Sequence, residues 1–194
     1  MNKPLLSILI CTVDIRSANF LPRLLEQLKP QLTPEVELLY LGDIIGAGKP
    51  LSLGAKRNKM LQVADGSYVV FVDDDDNVSI DYVAELLNAI ALKPDVDIIN
   101  YIVECGIDGE LPLPVYYSVN HQEQENLPDR YLRWPNALMC IRRELAIQVG
   151  FNDMGFGEDS DFGARLCNYA KTEHAIHKVL YYYNYNTSTS LFKG

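Results

Sequence analysis

Four consecutive aspartates, Asp73 to Asp76, follow directly on the apolar run Tyr68 to Val72. Carboxylates this close repel one another, and all four stay ionised in a folded site only if a cation or hydrogen bonds offset the repulsion. An acidic run is commonly a solvated turn. This one ends a buried strand, at the rim where open α/β sheets bind ligands, and that placement points to a divalent cation. Oxygen donors select a hard ion, Mg²⁺ or Mn²⁺, which keeps positions open for substrate phosphates. A helix-loop-helix calcium loop does not fit: counting from Asp73, Val78 stands at the required glycine and Ala84 at the bidentate glutamate.

Two further strings carry chemistry. Gly54-Ala55-Lys56-Arg57-Asn58 opens a helix, where Lys56 and Arg57 could hold a diphosphate or a base, or form a solvated basic face. Gly155-Phe156-Gly157-Glu158-Asp159-Ser160-Asp161 leads glycines into an acidic first turn. Helix capping accounts for acids there, and a carboxylate so placed could also take a proton from an incoming hydroxyl. Asp43 after a strand is a turn residue or an acceptor for a base or ribose. Trp134, the single tryptophan, could stack on a sugar ring or cover the core. His121, His174 and His177 share no ligand spacing, and Tyr181-Tyr182-Tyr183 reads as strand packing.

Positioning these residues requires alternating strands and helices. Leu5 to Ile10, Val36 to Leu41, Tyr68 to Val72 and Asp97 to Val103 are short apolar runs that read as buried strands. Between them, Leu21, Leu24, Leu25, Leu28 and Leu32, then Leu53 to Ala64, then Val83 to Ile90 follow helical spacing. The alternation predicts parallel pairing in an open sheet, with Thr12, Asp43 and the aspartates at three carboxyl ends. Gly106 to Pro135 has no clean period and is expected to be an irregular excursion ordered by a ligand. A strand at Ala137 to Ile141, helices at Arg142 to Val149 and Glu158 to Ala170, and a strand at Ala175 to Tyr183 complete the prediction.

Composition bounds the partners. The 194 residues are 48% hydrophobic and carry a net charge of −9, which suits one soluble domain and argues against nucleic acid or an anionic lipid surface. Cys11, Cys105, Cys140 and Cys167 form no close pair and read as reduced thiols. No secretory leader and no apolar run of about 18 residues is legible, so a cytoplasmic location is expected.

In order along the chain, four motifs resemble family 2 glycosyltransferases with the GT-A fold. Leu6 to Arg16 is similar to the family's first strand and turn, and Ala55 to Asn58 to its Ala-x-Arg-Asn helix start. Tyr68 to Asn77 is similar to the strand and Asp-x-Asp (DXD) motif, and Gly150 to Leu166 to the Gly-Gly-Phe and Glu-Asp region. The resemblance implies a single GT-A domain over residues 1–194, an α/β, Rossmann-like open mixed sheet with helices on both faces. Residues 1–104 would form a nucleotide-binding half, and 105–194 an acceptor and catalytic-base half. It implies an inverting transfer from a UDP-sugar to a hydroxyl acceptor such as a glycan, as in polysaccharide biosynthesis.

By the same resemblance Thr12, Asp43, Lys56, Arg57, Asp73 and Asp74 would bind the nucleotide. Asp75, with Asp73 and Asp76, would hold Mn²⁺ or Mg²⁺. Asp159 would be the general base beside Glu158, and Trp134 would meet the acceptor. Cys11 replaces the family's proline before Thr12, Val13-Asp14 replaces Tyr-Asn, and Asn186 stands where many members place a histidine on the metal. The chain would be a near-minimal catalytic domain. A binding domain without turnover, and a phosphatase-like hydrolase with its own Asp-x-Asp strand, remain as alternatives.

Overall fold

The computed structural model describes residues 3–13, 18–43 and 50–185. The turn Asp14 to Arg16, the glycines Gly46 and Gly48, and Asn186 lie outside the described residues.

Strand β1 (Leu6–Cys11) is buried at all six positions, which is why it reads as a continuous apolar run. It pairs in parallel with β2 (Val36–Leu41) on one side and β3 (Tyr68–Phe71) on the other, placing Ile8 between Leu38 and Val70. Helix α1 (Phe20–Leu28) buries Leu21, Leu24 and Leu28 and tightens into a 3₁₀ turn at Lys29–Gln31, where Pro30 stands. Helix α2 (Leu53–Val63) begins at Ser52, whose hydroxyl accepts from the Ala55 amide at 3.1 Å. The two-residue β4 (Asn77–Val78) leads to α3 (Tyr82–Leu92), which packs on β5 (Ile98–Ile107).

The predicted excursion at residues 106–135 is ordered by its own pairing. It contains β6 (Leu113–Tyr117), β7 (Glu125–Leu127) and β8 (Arg130–Arg133). β6 pairs antiparallel with β5, β8 joins β6 in parallel, and β7 closes the edge. β9 (Cys140–Arg142) then enters antiparallel between β3 and β5, followed by α4 (Arg143–Val149) and α5 (Glu158–Leu166). β10 (Glu173–Tyr185) runs parallel to β5 along its length and antiparallel to β4. The path is β2-β1-β3-β9-β5-β6-β8-β7, one mixed sheet. The boundary at 104/105 falls inside β5, and β9 is embedded among the earlier strands.

Buried tyrosines satisfy their hydroxyls internally. Tyr68 donates toward Pro94 O and Val96 O at 2.8 Å each, and Tyr82 meets Tyr101 at 3.1 Å. All four cysteines are free. Among the described residues, no helix is long and apolar enough to cross a membrane.

Candidate active site

The four aspartates do not behave alike. A tight turn, with the Asp76 amide donating to Asp73 O at 3.2 Å, makes their side chains alternate. Asp74 is 3% exposed and accepts from the Thr12 hydroxyl at 2.5 Å; Asp76 is 1% exposed and accepts from the Tyr181 hydroxyl at 2.7 Å. Asp73 and Asp75 are the half-exposed pair. Repulsion is thus relieved for two carboxylates by neutral donors within the fold. The side chains of Thr12, Asp74 and Asp76 brace the turn.

Other elements fix the same turn. Tyr181 on β10, fully buried, also accepts from the Asp73 amide at 3.1 Å, so one phenol ties both ends of the tetrad. From α1, Arg23 donates to Asp75 O at 2.8 Å, and Gln27 bonds Asn77 at 2.8 Å and the Val78 amide at 3.1 Å. The tyrosine cluster read as packing therefore has a second task.

Lys56 lies buried beside Thr12. It is 2% exposed, donates to Thr12 O at 2.8 Å and pairs with Asp43 at 2.5 Å, clamping the ends of β1 and β2 together inside the protein. Its charge is balanced by Asp43. Arg57 is the central cation. It is 3% exposed, with Nη2 at 3.1 Å from Asp73 and 3.4 Å from Glu158. Its guanidinium lies 5.2 Å from the Phe71 ring and 5.5 Å from Phe151. Burial opposes its charge, but Asp73 and Glu158 more than compensate and raise its pKa. Its Nε and Nη1 are buried without a hydrogen-bond partner among the described residues.

Burial pushes the Asp73 carboxyl up to about 6 against the pull of Arg57, with Asp75 and Asp159 adding to the rise. Burial likewise raises Glu158 to about 6. The acidic first turn of α5 divides three ways. Glu158 turns inward to Arg57, Asp161 pairs with Arg165 at 2.7 Å, and Asp159 lines a cavity of about 420 Å³. Asp73 lines that cavity too, with Tyr117, Arg133, Trp134 and Tyr183. Trp134 is held by its Nε1 donating to His121 O at 2.9 Å. Tyr117 and Arg133 belong to the segment whose short, half-exposed strands carry no periodic signal, and no motif announces them.

The two halves of the site are tied directly. Asn58 on α2 donates to Phe151 O at 2.7 Å and accepts from the Phe151 amide at 2.8 Å. The Gly54 amide donates to Met154 O at 3.1 Å, and a Cβ there would lie 1.9 Å from Asn152 O. Only glycine permits that approach, so α2 is seated on the loop that leads to Asp159.

A model of glycosyl transferase family 2 matches residues 44–142, half of the chain. The chain belongs to glycosyl transferase family 2. The matched segment holds Arg57 and the aspartate tetrad; Glu158 and Asp159 lie beyond it. EpsH of Bacillus subtilis (strain 168), whose name assigns it provisionally to the glycosyltransferases, is 25% identical over 97% of this chain and 63% of its own. The crystal structure of S. aureus TarS 1-349 in complex with UDP-GlcNAc superposes with a TM-score of 0.71, at 18% identity, over 96% of this chain and 61% of TarS. The UDP complex of the same protein gives 0.70 at 19% identity. These superpositions establish the GT-A fold, and family membership removes the phosphatase-like alternative. This family 2 chain spans about three-fifths of the length of the relatives it matches.

Proposed function

We propose that this chain transfers a sugar from a uridine-diphosphate donor to a hydroxyl acceptor with inversion, Asp159 acting as the general base. The observation that carries the reading is that Asp73 and Asp159, 86 positions apart, line one cavity while Arg57 pairs with both Asp73 and Glu158. The UDP and UDP-GlcNAc complexes of TarS support the choice of nucleotide.

Arg57 offers two buried nitrogens, Nε and Nη1 with three N–H groups between them, that have no acceptor among the described residues and that phosphoryl or base oxygens would satisfy. Asp43, at the end of β2, borders the nucleotide side with its charge balanced by Lys56. Among the described residues no three carboxylate, imidazole or thiol groups converge into a cation cage. Asp73 and Asp75 nevertheless fit Mg²⁺ or Mn²⁺, because such ions are commonly held by one or two carboxylates and complete their shell with substrate phosphates and water. The bound ion would neutralise charge building on the departing diphosphate. Asp159, half-exposed in the cavity, accepts the proton of the incoming hydroxyl as that oxygen attacks the anomeric carbon from the face opposite the diphosphate. Glu158 holds Arg57 and contributes through it.

Thermal shift tests donor binding: UDP with Mn²⁺ is expected to raise Tm more than the separate effects combined. Asp159→Asn is expected to lower turnover of a UDP-sugar at least 100-fold while leaving that shift intact. Near-normal turnover by this variant would remove Asp159 from the chemistry. Absence of slow UDP-sugar hydrolysis by the wild type would favour the binding-domain alternative.

A further inference from the structure

Arg133 lies at the end of β8 and lines the cavity that also holds Asp73 and Asp159. Its Nη1 donates to Glu125 O and Leu132 O at 2.8 Å each, its Nη2 to Asn126 Oδ1 at 2.5 Å, and its Cζ sits 5.1 Å from the Tyr131 ring. Every one of these partners is neutral. Arg57, Arg130, Arg142 and Arg165 all pair with carboxylates, whereas Arg133 has none within 4 Å among the described residues. A guanidinium carries five N–H groups, and three are occupied here. The occupied three lock the plane of the fork and leave the Nε–H and one Nη2–H without acceptors among the described residues. Arg23 and Arg143 likewise bond carbonyl oxygens alone, but of these three arginines Arg133 is the one that lines the cavity.

We propose that Arg133 reads an anionic group, a carboxylate or phosphate, on the acceptor molecule seated in this cavity. The proposal rests on the glycosyltransferase reading and gives the acceptor its chemical class. The electrostatics also orient the acceptor. Asp159 repels an anion from its part of the cavity, so the acid group settles beside Arg133 and the hydroxyl side faces Asp159. Trp134, next in sequence and held by His121 O, supplies a flat apolar wall for the sugar or polyol between them. The cavity of about 420 Å³ lies within the roughly 300–1,000 Å³ usual for small-molecule sites.

Trp134 is the single tryptophan, so intrinsic fluorescence reports on this cavity directly. Titration without nucleotide, at constant ionic strength, compares glucuronate with glucose and glycerol 1-phosphate with glycerol. At least one acid is expected to bind about tenfold tighter than its neutral counterpart, and which acid does so distinguishes carboxylate from phosphate. Arg133→Gln is expected to abolish that preference and Arg133→Lys to keep part of it. UDP affinity, followed by thermal shift, should be unchanged in both. Equal binding of acid and neutral forms by the wild type, or an undiminished preference in Arg133→Gln, would overturn the proposal. A loss of UDP affinity in Arg133→Gln would also overturn it, by moving Arg133 to the donor. Because the titration needs no nucleotide, failure of the donor assignment would show separately, as absence of the UDP shift.

Discussion

At the scale of single residues, the site is a set of carboxylates sorted by what each one meets. Glu158 is the case with a measurable consequence. Its ordinary value of 4.5 is raised to about 6 by burial, so the folded chain keeps a proton that the unfolded chain releases. Stability from this group therefore falls as pH rises from about 4.5 through about 6 and is flat above, an effect of about 2 kcal/mol. Glu158→Gln is expected to flatten the decline of Tm between pH 4.5 and 6.5. Asp73, also raised to about 6, would leave a residual slope. An unchanged profile would show that Glu158 is ionised alike in both states. The tetrad shows the limit of reading such residues from the chain alone. Its position at a strand end was legible, but four identical letters do not say which pair turns inward. That is decided by Thr12, 62 positions away from Asp74, and by Tyr181, 105 away from Asp76.

At the scale of elements, α2 and the loop before α5 behave as one part. Gly54→Ala would drive a methyl against Asn152 O, and overpacking of this kind costs typically 1–3 kcal/mol. A lowered Tm is expected together with weaker UDP binding and slower turnover, since Arg57 and the approach to Asp159 shift together. Gly155→Ala is the control: a Cβ there meets nothing within 4 Å, and near-wild-type Tm and kinetics are expected. Strands β1, β3 and the first half of β5 were legible because burial on the sheet writes apolar runs, whereas β2, read as a buried strand, is half-exposed along its length. β6, β7 and β8 were not, since three to five half-exposed residues leave no period to detect. Their order comes from pairing with β5, a long-range fact absent from local sequence. Arg133 was hidden with them, as was the cavity wall it forms.

At the scale of the whole molecule, β10 lies along β5 for the length of that strand, and β9 stands between β3 and β5. Neither the early nor the late part of the chain closes its sheet alone. Unfolding is accordingly expected as one transition, with Trp134 fluorescence and far-ultraviolet circular dichroism giving coincident midpoints in urea. Separate midpoints would show that the β6–β8 extension melts on its own. The bare α-carbon at Gly54 has a further bearing on recombination. A hybrid that joined the front of this polypeptide to the back of a cousin would have to match a contact surface with no tolerance for one added carbon. An exchange confined to the β6–β8 segment, with both junctions inside it, keeps Gly54 and Asn152 from the same parent and leaves that seam intact.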